Sequence, residues 1–397
     1  MKSFDCKVPF EFRFDVYAIL RHYCGFGRCD DDFVDRLSRY YSVLIFSLFV
    51  VIVSSVQFVG KPISCFTPAS FTDAHITYAD FICWMSDTYF LSIDAEIPDV
   101  DDEQARQDLH TIRFYQYVPF ILMLQACGFF LPGFLWRSGS SRLGISLQKH
   151  LDQLNLSHRA LTEPPIYRRQ LIQNVARRLD QYFRLHRRTS LPKLTLLYLL
   201  TKLIYMMNIV VQLMSLHYLM NFEYNFRSLL ERLMIYSDRL RPASVQFPTN
   251  VLCDFIVRFL GKNKHRHTVQ CVLPINVFNE KIFVFAYLWL SVLLACTVYN
   301  LVGQWLIFLV FQRQMIDTRS RRLRRMASKH RTENDDDEDK HESLPSHDYQ
   351  PISKNFSRHY LRCDGMVILR LFDMNIDVVT MNDLIDHLWD LYKINPI

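Results

Sequence analysis

Glycine is scarce in this chain. Only 10 of the 397 residues are glycine, against the ~7% that is usual in proteins. So few glycines argue against glycine-rich nucleotide-binding loops, turn-dense β folds and collagen. The 14 histidines are scattered, without the clustered ligands that a membrane metalloenzyme would need. No catalytic, cofactor-binding or metal-binding residue is predicted, and we do not expect an enzyme.

Apolar and aromatic residues are abundant instead. The chain contains 31 Phe, 20 Tyr and 5 Trp, and half of its residues are hydrophobic. This composition excludes global disorder. The mean hydropathy is nevertheless only +0.02. A value so near zero, in a chain so rich in apolar residues, indicates very apolar stretches averaged with very charged ones.

Four long apolar segments account for the hydrophobic part. Each has at least the ~20 residues that cross a hydrocarbon core as a helix, and in lipid such a segment must be helical. A buried core helix is the alternative, and it is strongest for the third segment, which contains Lys202, Gln212 and His217. We expect Lys202 to extend toward the cytoplasmic membrane surface. The predicted division is an N-terminal segment 1–40, spans 41–60, 112–136, 194–220 and 282–311, outer loops 61–111 and 221–281, a basic loop 137–193 and a C-terminal region 312–397 with a disordered acidic stretch near 330–350.

The charges of the connecting regions predict their sidedness. Region 137–193 holds twelve Lys and Arg against three acidic residues, whereas region 61–111 holds ten acidic residues against Lys61 and Arg106. Positive residues stay in the cytoplasm, so both termini are expected there and the plasma membrane is the expected location. The acceptor sequons at Asn155 and Asn355 should then be unmodified.

The cysteines divide by compartment. Four fall in the predicted outer loops, two in each, with a spacing of eighteen positions in both loops: Cys65, Cys83, Cys253 and Cys271. An even number on the oxidising side predicts disulfides, and three pairings are open from spacing alone. His265 and His267 form a lone H-x-H that is better interpreted as solvated than as a zinc site.

Several residues are candidates for a conducting path. Ser47, Ser54 and Lys61 recur every seven positions and share one helix face, which fits a pore stripe or a small-residue helix contact. Phe10, Phe12 and Phe14 alternate with charged residues, which fits an extended pore-lining segment or a tail packed on the cytoplasmic part.

Proline and the charged runs give weaker indications. Pro119 is a candidate gating hinge, although a tolerated membrane proline is the preferred interpretation. The acidic run 94–108 fits either a cation-attracting ring or a solvated loop. The basic block 319–331 fits contact with anionic lipids or plain positive-inside charge. Nuclear import, and with it nucleic acid as a partner, is not expected of a chain with four spans.

Several strings stand in order along most of the chain: DDDFVDRL before the first span, VGKPISCFTPASF and CWMSDTYF after it, FYQYVPFILMLQA at the second span, FPTNVLCDFIVRFLGKNKHRHTVQCVLPINVFNEKIF before the fourth, and LRCDGMVILRL and DVVTMNDLIDHLW near the end. Together they resemble the innexin family of invertebrate gap-junction proteins. Departures from the family pattern are Phe114 and Tyr117 in the second-span signature, Phe66 where the family usually has Trp, and the acidic insert 333–339.

The resemblance implies a mainly α fold: a four-transmembrane-helix bundle subunit, with disulfide-linked extracellular loops that include a small β element, and a helical cytoplasmic dome. It implies disulfides Cys65–Cys271 and Cys83–Cys253. It also implies an octameric ring, homomeric or formed with other innexin subunits, which docks onto a ring in the adjacent cell. The expected function is passage of ions and small solutes at cell junctions. A non-junctional hemichannel and a non-conducting adhesion or scaffold protein are the alternatives.

Overall fold

The computed structural model describes residues 31–91, 111–112, 114–159, 165–186, 191–220, 247–259, 263–308 and 356–394. By contacts the chain falls into two compact units. The helical unit comprises described residues within 1–40, 130–206 and 295–397, and the sheet unit comprises described residues within 41–129 and 207–294. The predicted N-terminal stripe of Phe10, Phe12 and Phe14, the acidic run and the basic block lie outside the described residues.

Four helical segments are long and apolar enough to cross a membrane: Phe33–Phe58, Tyr115–Arg142, Lys193–Leu219 and Pro274–Leu306. They confirm the four predicted spans. The fourth begins at Pro274, before the predicted start at 282, because the chain turns helical directly after the sheet while its first turns are still polar. The architecture is mainly α, with one small antiparallel sheet.

The helices and strands are numbered in chain order. The helices are α1 Phe33–Arg36, α2 Ser42–Phe58, α3 Asp73–Met85, α4 Val118–Gly128, α5 Phe130–Arg142, α6 Leu147–Arg159, α7 Pro165–Leu185, α8 Lys193–Met220, α9 Pro274–Tyr299, α10 Arg362–Asn375 and α11 Val378–Ile394. π-Helical turns cover Leu37–Tyr41, Asn300–Leu306 and Phe356–Leu361, and a 3-10 turn covers Phe114–Tyr117. The strands are β1 Ser64–Phe66, β2 Thr88–Tyr89, β3 Thr111–Ile112, β4 Asn250–Phe259 and β5 Asn263–Val272.

The sheet unit contains a five-stranded antiparallel sheet in the order β1-β5-β4-β2-β3. The long hairpin β4–β5 forms its centre, with Cys253 opposite Val269. Alternate side chains of these strands are buried together with Ala79 and Cys83 of α3, as the period of two in a strand requires. One face of the sheet is therefore packed under α3.

The helical unit has a core of its own. Amphipathic helices α6, α7, α10 and α11 bury apolar side chains such as Leu151, Leu179 and Leu384 against one another. Trp136 of α5 and Tyr198 of α8 join the same cluster. The basic loop predicted to be helical thus contributes two helices, and the region after the fourth span contributes the other two.

Candidate functional site

Two disulfides lie in the sheet unit, Cys65–Cys271 and Cys83–Cys253. Cys65 and Cys271 are register partners on β1 and β5, and Cys83 joins α3 to β4. These are the pairs that the resemblance implies, and each joins residues of the two predicted outer loops. The sulfurs of Cys65, Cys83 and Cys271 lie close together, but oxidised sulfur is no thiolate ligand, so this group offers no metal site.

A cavity of about 300 Å³ opens between α3 and the β4–β5 hairpin. Phe71 lies in it, with ring centroids 5.6 Å from His75 and 5.3 Å from His267. Phe255 also contacts His267, at 5.6 Å. We call this the histidine pocket; it is lined by Ser70, Phe71, His75, Tyr78, Phe255, Val257, His265 and His267. The H-x-H pair expected to be solvated therefore lines an aromatic pocket together with a third histidine.

A buried cluster of charges lies in the helical unit, at the entry to the first span. Lys202 of α8 is only 1% exposed. Its Nζ lies 2.6 Å from Asp32 Oδ2 and 2.8 Å from Asp35 Oδ2, and it donates to Asn300 Oδ1 at 2.9 Å. Two carboxylates thus share one ammonium group. Lys202 does not extend toward a membrane surface as expected, because these partners satisfy its charge inside the protein.

Aromatic groups complete the surroundings of Lys202. Trp305 Nε1 donates to Asp32 Oδ2 at 2.8 Å, and the Tyr198 hydroxyl donates to Asp35 Oδ2 at 3.2 Å. The ammonium lies 5.3 Å from the Tyr198 ring centroid and 5.7 Å from that of Trp305, within the range of cation–π attraction. Residues from before the first span are in this way fixed to the third and fourth.

Helix α10, the first of the two helices in the C-terminal region, contacts the same entry region. The Arg370 guanidinium lies 4.2 Å from the Phe308 ring centroid and 5.1 Å from that of Trp305. Asn375 Nδ2 donates to the Asp31 carbonyl oxygen at 3.2 Å. Part of the C-terminal region therefore packs on the residues that lead into the first span.

Helix α10 also caps the third span. Asp364 Oδ1 accepts hydrogen bonds from Thr195 N at 2.9 Å and Thr195 Oγ1 at 2.7 Å. Asp364 Oδ2 accepts from Leu194 N at 3.3 Å. A carboxylate at the start of α8 satisfies backbone donors that have no partner inside the helix and lies at the positive end of its dipole.

The predicted pore residues lie on or just after α2. Ser47 and Lys61 are exposed, and Ser54 is half-buried. Ser47 lies on a face of α2 that also exposes large apolar side chains such as Leu48 and Val51. Their pore role stays a prediction. Pro119 lies in the first turn of α4, where proline removes no intrahelical hydrogen bond; its role as a hinge also stays a prediction.

Sequence reasoning missed the Asp32–Asp35–Lys202 cluster and the third histidine of the pocket. Lys202 lies 170 positions from Asp32, so no local pattern joins them. A partial signal was present: the run DDDFVDRL places four acidic residues just before an uncharged span. Such residues need cationic partners if they are buried.

Four apolar helices together with a sheet braced by two disulfides define a multi-pass membrane protein with a covalently stabilised domain. The family model for innexins matches residues 31–392. Innexin unc-9 of Caenorhabditis elegans is 33% identical over 384 residues, covering 91% of this chain and 92% of that protein. Innexin-11 of the same organism is 30% identical, covering 92% of this chain and 79% of that protein. Innexin-10 is 31% identical, covering 94% and 66%.

The chain belongs to the innexin family. Its members are gap-junction channel proteins, which accounts for the four membrane spans. Family membership supports a channel subunit at gap junctions and a multi-pass membrane location.

Proposed function

We propose that this protein forms octameric rings that dock between adjacent cells and pass ions and small solutes. The observation that carries the proposal is the sheet unit. In it, two disulfides join the loop that precedes the second span to the loop that follows the third span. A docking surface between cells must be rigid and must persist outside the cell. Disulfides meet both needs in an oxidising compartment.

The proposed sidedness follows from the same unit. The disulfides support an extracellular position for the described parts of loops 61–111 and 221–281. With four spans, both termini and loop 137–193 are then proposed to lie in the cytoplasm. The charge of loop 137–193 supports this orientation. Endoglycosidase treatment should leave the gel mobility of the natural protein unchanged, because Asn155 and Asn355 would not be glycosylated. A mobility shift would contradict the topology.

Paired-cell electrophysiology tests conduction directly. Two cells that both express the protein should show junctional current, and Cys65→Ser should abolish it because the sheet loses one disulfide. Cys127→Ser is the matched control, since Cys127 carries no disulfide. Each pair is also tested with a second innexin co-expressed, in case assembly is heteromeric. Current only in single cells would favour a non-junctional hemichannel, and no current from protein at the surface would favour an adhesion role.

We further propose that Ser47, Ser54 and Lys61 face the pore, that Phe10, Phe12 and Phe14 line its cytoplasmic mouth, and that the helix bends near Pro119 during gating. The exposure of Ser47 and Lys61 in one subunit supports the first of these. A Ser47→Cys channel should be blocked by a charged thiol reagent that permeates the pore. Val53→Cys is the control, because Val53 is fully buried.

A further inference from the structure

On the sheet itself, Phe66 is a large side chain that no part of the chain described by the structure covers. Phe66 is 83% exposed, more than any other phenylalanine in the described part of the chain. It lies on β1 opposite Gln270, while its neighbour Cys65 points into the core. If β1 is outside the membrane, as proposed above, lipid cannot cover Phe66. An aromatic side chain of this size is stabilised by burial against protein.

The same unit contains an opening that suits such a side chain. The histidine pocket has a volume of about 300 Å³, enough for a single aromatic ring. Its walls include Phe71, Tyr78 and Phe255. Aromatic rings attract one another edge to face, and the imidazoles add polar edges. The pocket is therefore chemically matched to a phenyl ring.

Phe66 and the histidine pocket lie on opposite faces of the sheet. Phe255 and Val257, which line the pocket, share the face of Cys253, because side chains alternate along a strand. That face packs under α3. Phe66 shares the other face with Gln270 and Leu252. One copy consequently cannot present both features to the same neighbour.

Two faces that match each other, but not themselves, form a heterologous contact, and closed heterologous contacts generate rings. Charge agrees with such a contact. Arg258, Lys264 and Arg266 lie on the Phe66 face by their register, while Asp73 begins α3 beside the pocket. Asp254 also lies on the Phe66 face, where it accepts a hydrogen bond from the Tyr89 hydroxyl.

We propose that Phe66 of each subunit inserts into the histidine pocket of the next subunit in the same ring. The proposal rests on the proposed oligomeric channel and adds the contact that joins its extracellular parts. The partner is a second copy, or another subunit with an equivalent pocket. The contact is lateral, within one membrane, and does not require docking to an opposite cell.

Disulfide trapping between two differently tagged chains tests the contact. One full-length chain carries Phe66→Cys and the other carries His267→Cys, and both are expressed in isolated, unpaired cells. Mild oxidation should give a cross-linked dimer that contains both tags. The matched control replaces His267→Cys by Thr268→Cys. Thr268 is the next residue of β5 and points to the opposite face, so no dimer is expected.

The outcomes separate this inference from the proposed function. Equal trapping with Thr268→Cys, or no trapping while the wild-type chain still forms conducting oligomers, would overturn the inference alone. Trapping only between chains in opposing cells would make Phe66 a docking residue and would also overturn it. Absence of oligomers on native gels and of current would instead refute the proposed function.

A second measurement tests the same contact without introducing a cysteine, in case the cysteine variants misfold. Phe66→Ala should lower the oligomer fraction on a native gel, whereas Ile256→Ala should leave it unchanged. Ile256 is exposed on the same face of the sheet and thus controls for loss of apolar surface in general. Equal losses for both variants would argue against a specific pocket.

Discussion

The sheet unit and the helical unit are stabilised by different chemistry. In the sheet unit, two disulfides join α3, β1, β4 and β5 around a small core. In the helical unit, non-covalent contacts hold a larger core, and a buried ammonium group shared by two carboxylates lies at the entry to the first span. A covalent brace suits a small sheet in an oxidising environment. A non-covalent cluster of charges, by contrast, holds only while each buried charge keeps its partner.

Breaking the buried cluster should have the largest effect. Lys202→Met keeps the length of the side chain but leaves Asp32 and Asp35 without their shared cation. Removal of one partner of a buried ion pair costs about 3–5 kcal/mol. We expect a markedly lower melting temperature of the detergent-solubilised protein by fluorescence-detected size exclusion.

Two further variants make the Lys202 result specific. Lys393→Met removes an exposed lysine paired with Asp390, and such surface pairs contribute less than about 1 kcal/mol. Combining Lys202→Met with Asp35→Asn should recover part of the stability, because one uncompensated carboxylate is gone. If Lys202→Met and Lys393→Met melted at the same temperature, the cluster would have no stabilising role.

Removing a covalent brace should affect the other unit. Loss of a native disulfide typically costs about 2–5 kcal/mol. A Cys83→Ser/Cys253→Ser double variant should therefore become sensitive to external protease in loops 61–111 and 221–281, while the cytoplasmic region keeps its native digestion pattern. Protease digestion of intact cells measures the outer loops, and digestion of permeabilised cells measures the region proposed to be cytoplasmic, both read by epitope tags. Equal sensitivity on both sides would mean that the units do not unfold separately.

The position of the spans could be predicted from the sequence, but the clusters could not. An uncharged run such as 41–60 has one stable structure in lipid, a helix, so local composition is sufficient. Cys65 had three possible pairings by spacing, and only the family resemblance chose Cys271. Lys202 was expected at a membrane surface because it lies near the predicted cytoplasmic end of the third span. Its partner Asp32 is 170 positions away in sequence and gave no local signal. Long-range pairs of polar side chains depend on tertiary packing, which a local pattern does not encode.

A smaller effect is expected at the contact between α10 and the first turn of α8. Asp364→Asn retains the shape of the cap on α8 but removes its negative charge and one acceptor oxygen. Substitution of a capping side chain costs about 0.5–2 kcal/mol. The variant should melt at a lower temperature, by at most roughly 2–4 °C for each kcal/mol, the range that holds for domains of about 150–250 residues. Asp373→Asn removes a carboxylate of the same helix outside the cap and is the comparison; an equal shift would show that the capping contacts carry no special share of the stability.

The smallest expected effect is a dependence of stability on pH in the helical unit. Burial, together with the nearby Arg178 charge, lowers the pKa of His150 in α6 below its usual 6.5. The unfolded chain therefore binds a proton at a higher pH than the folded chain. Stability from the neutral imidazole is complete above pH 6.5 and declines as the pH falls from there toward the folded pKa. Melting temperatures measured between pH 7.5 and 5.5 should fall less for His150→Gln than for the wild type. If His150→Gln followed the wild-type curve, His150 would not be the group responsible.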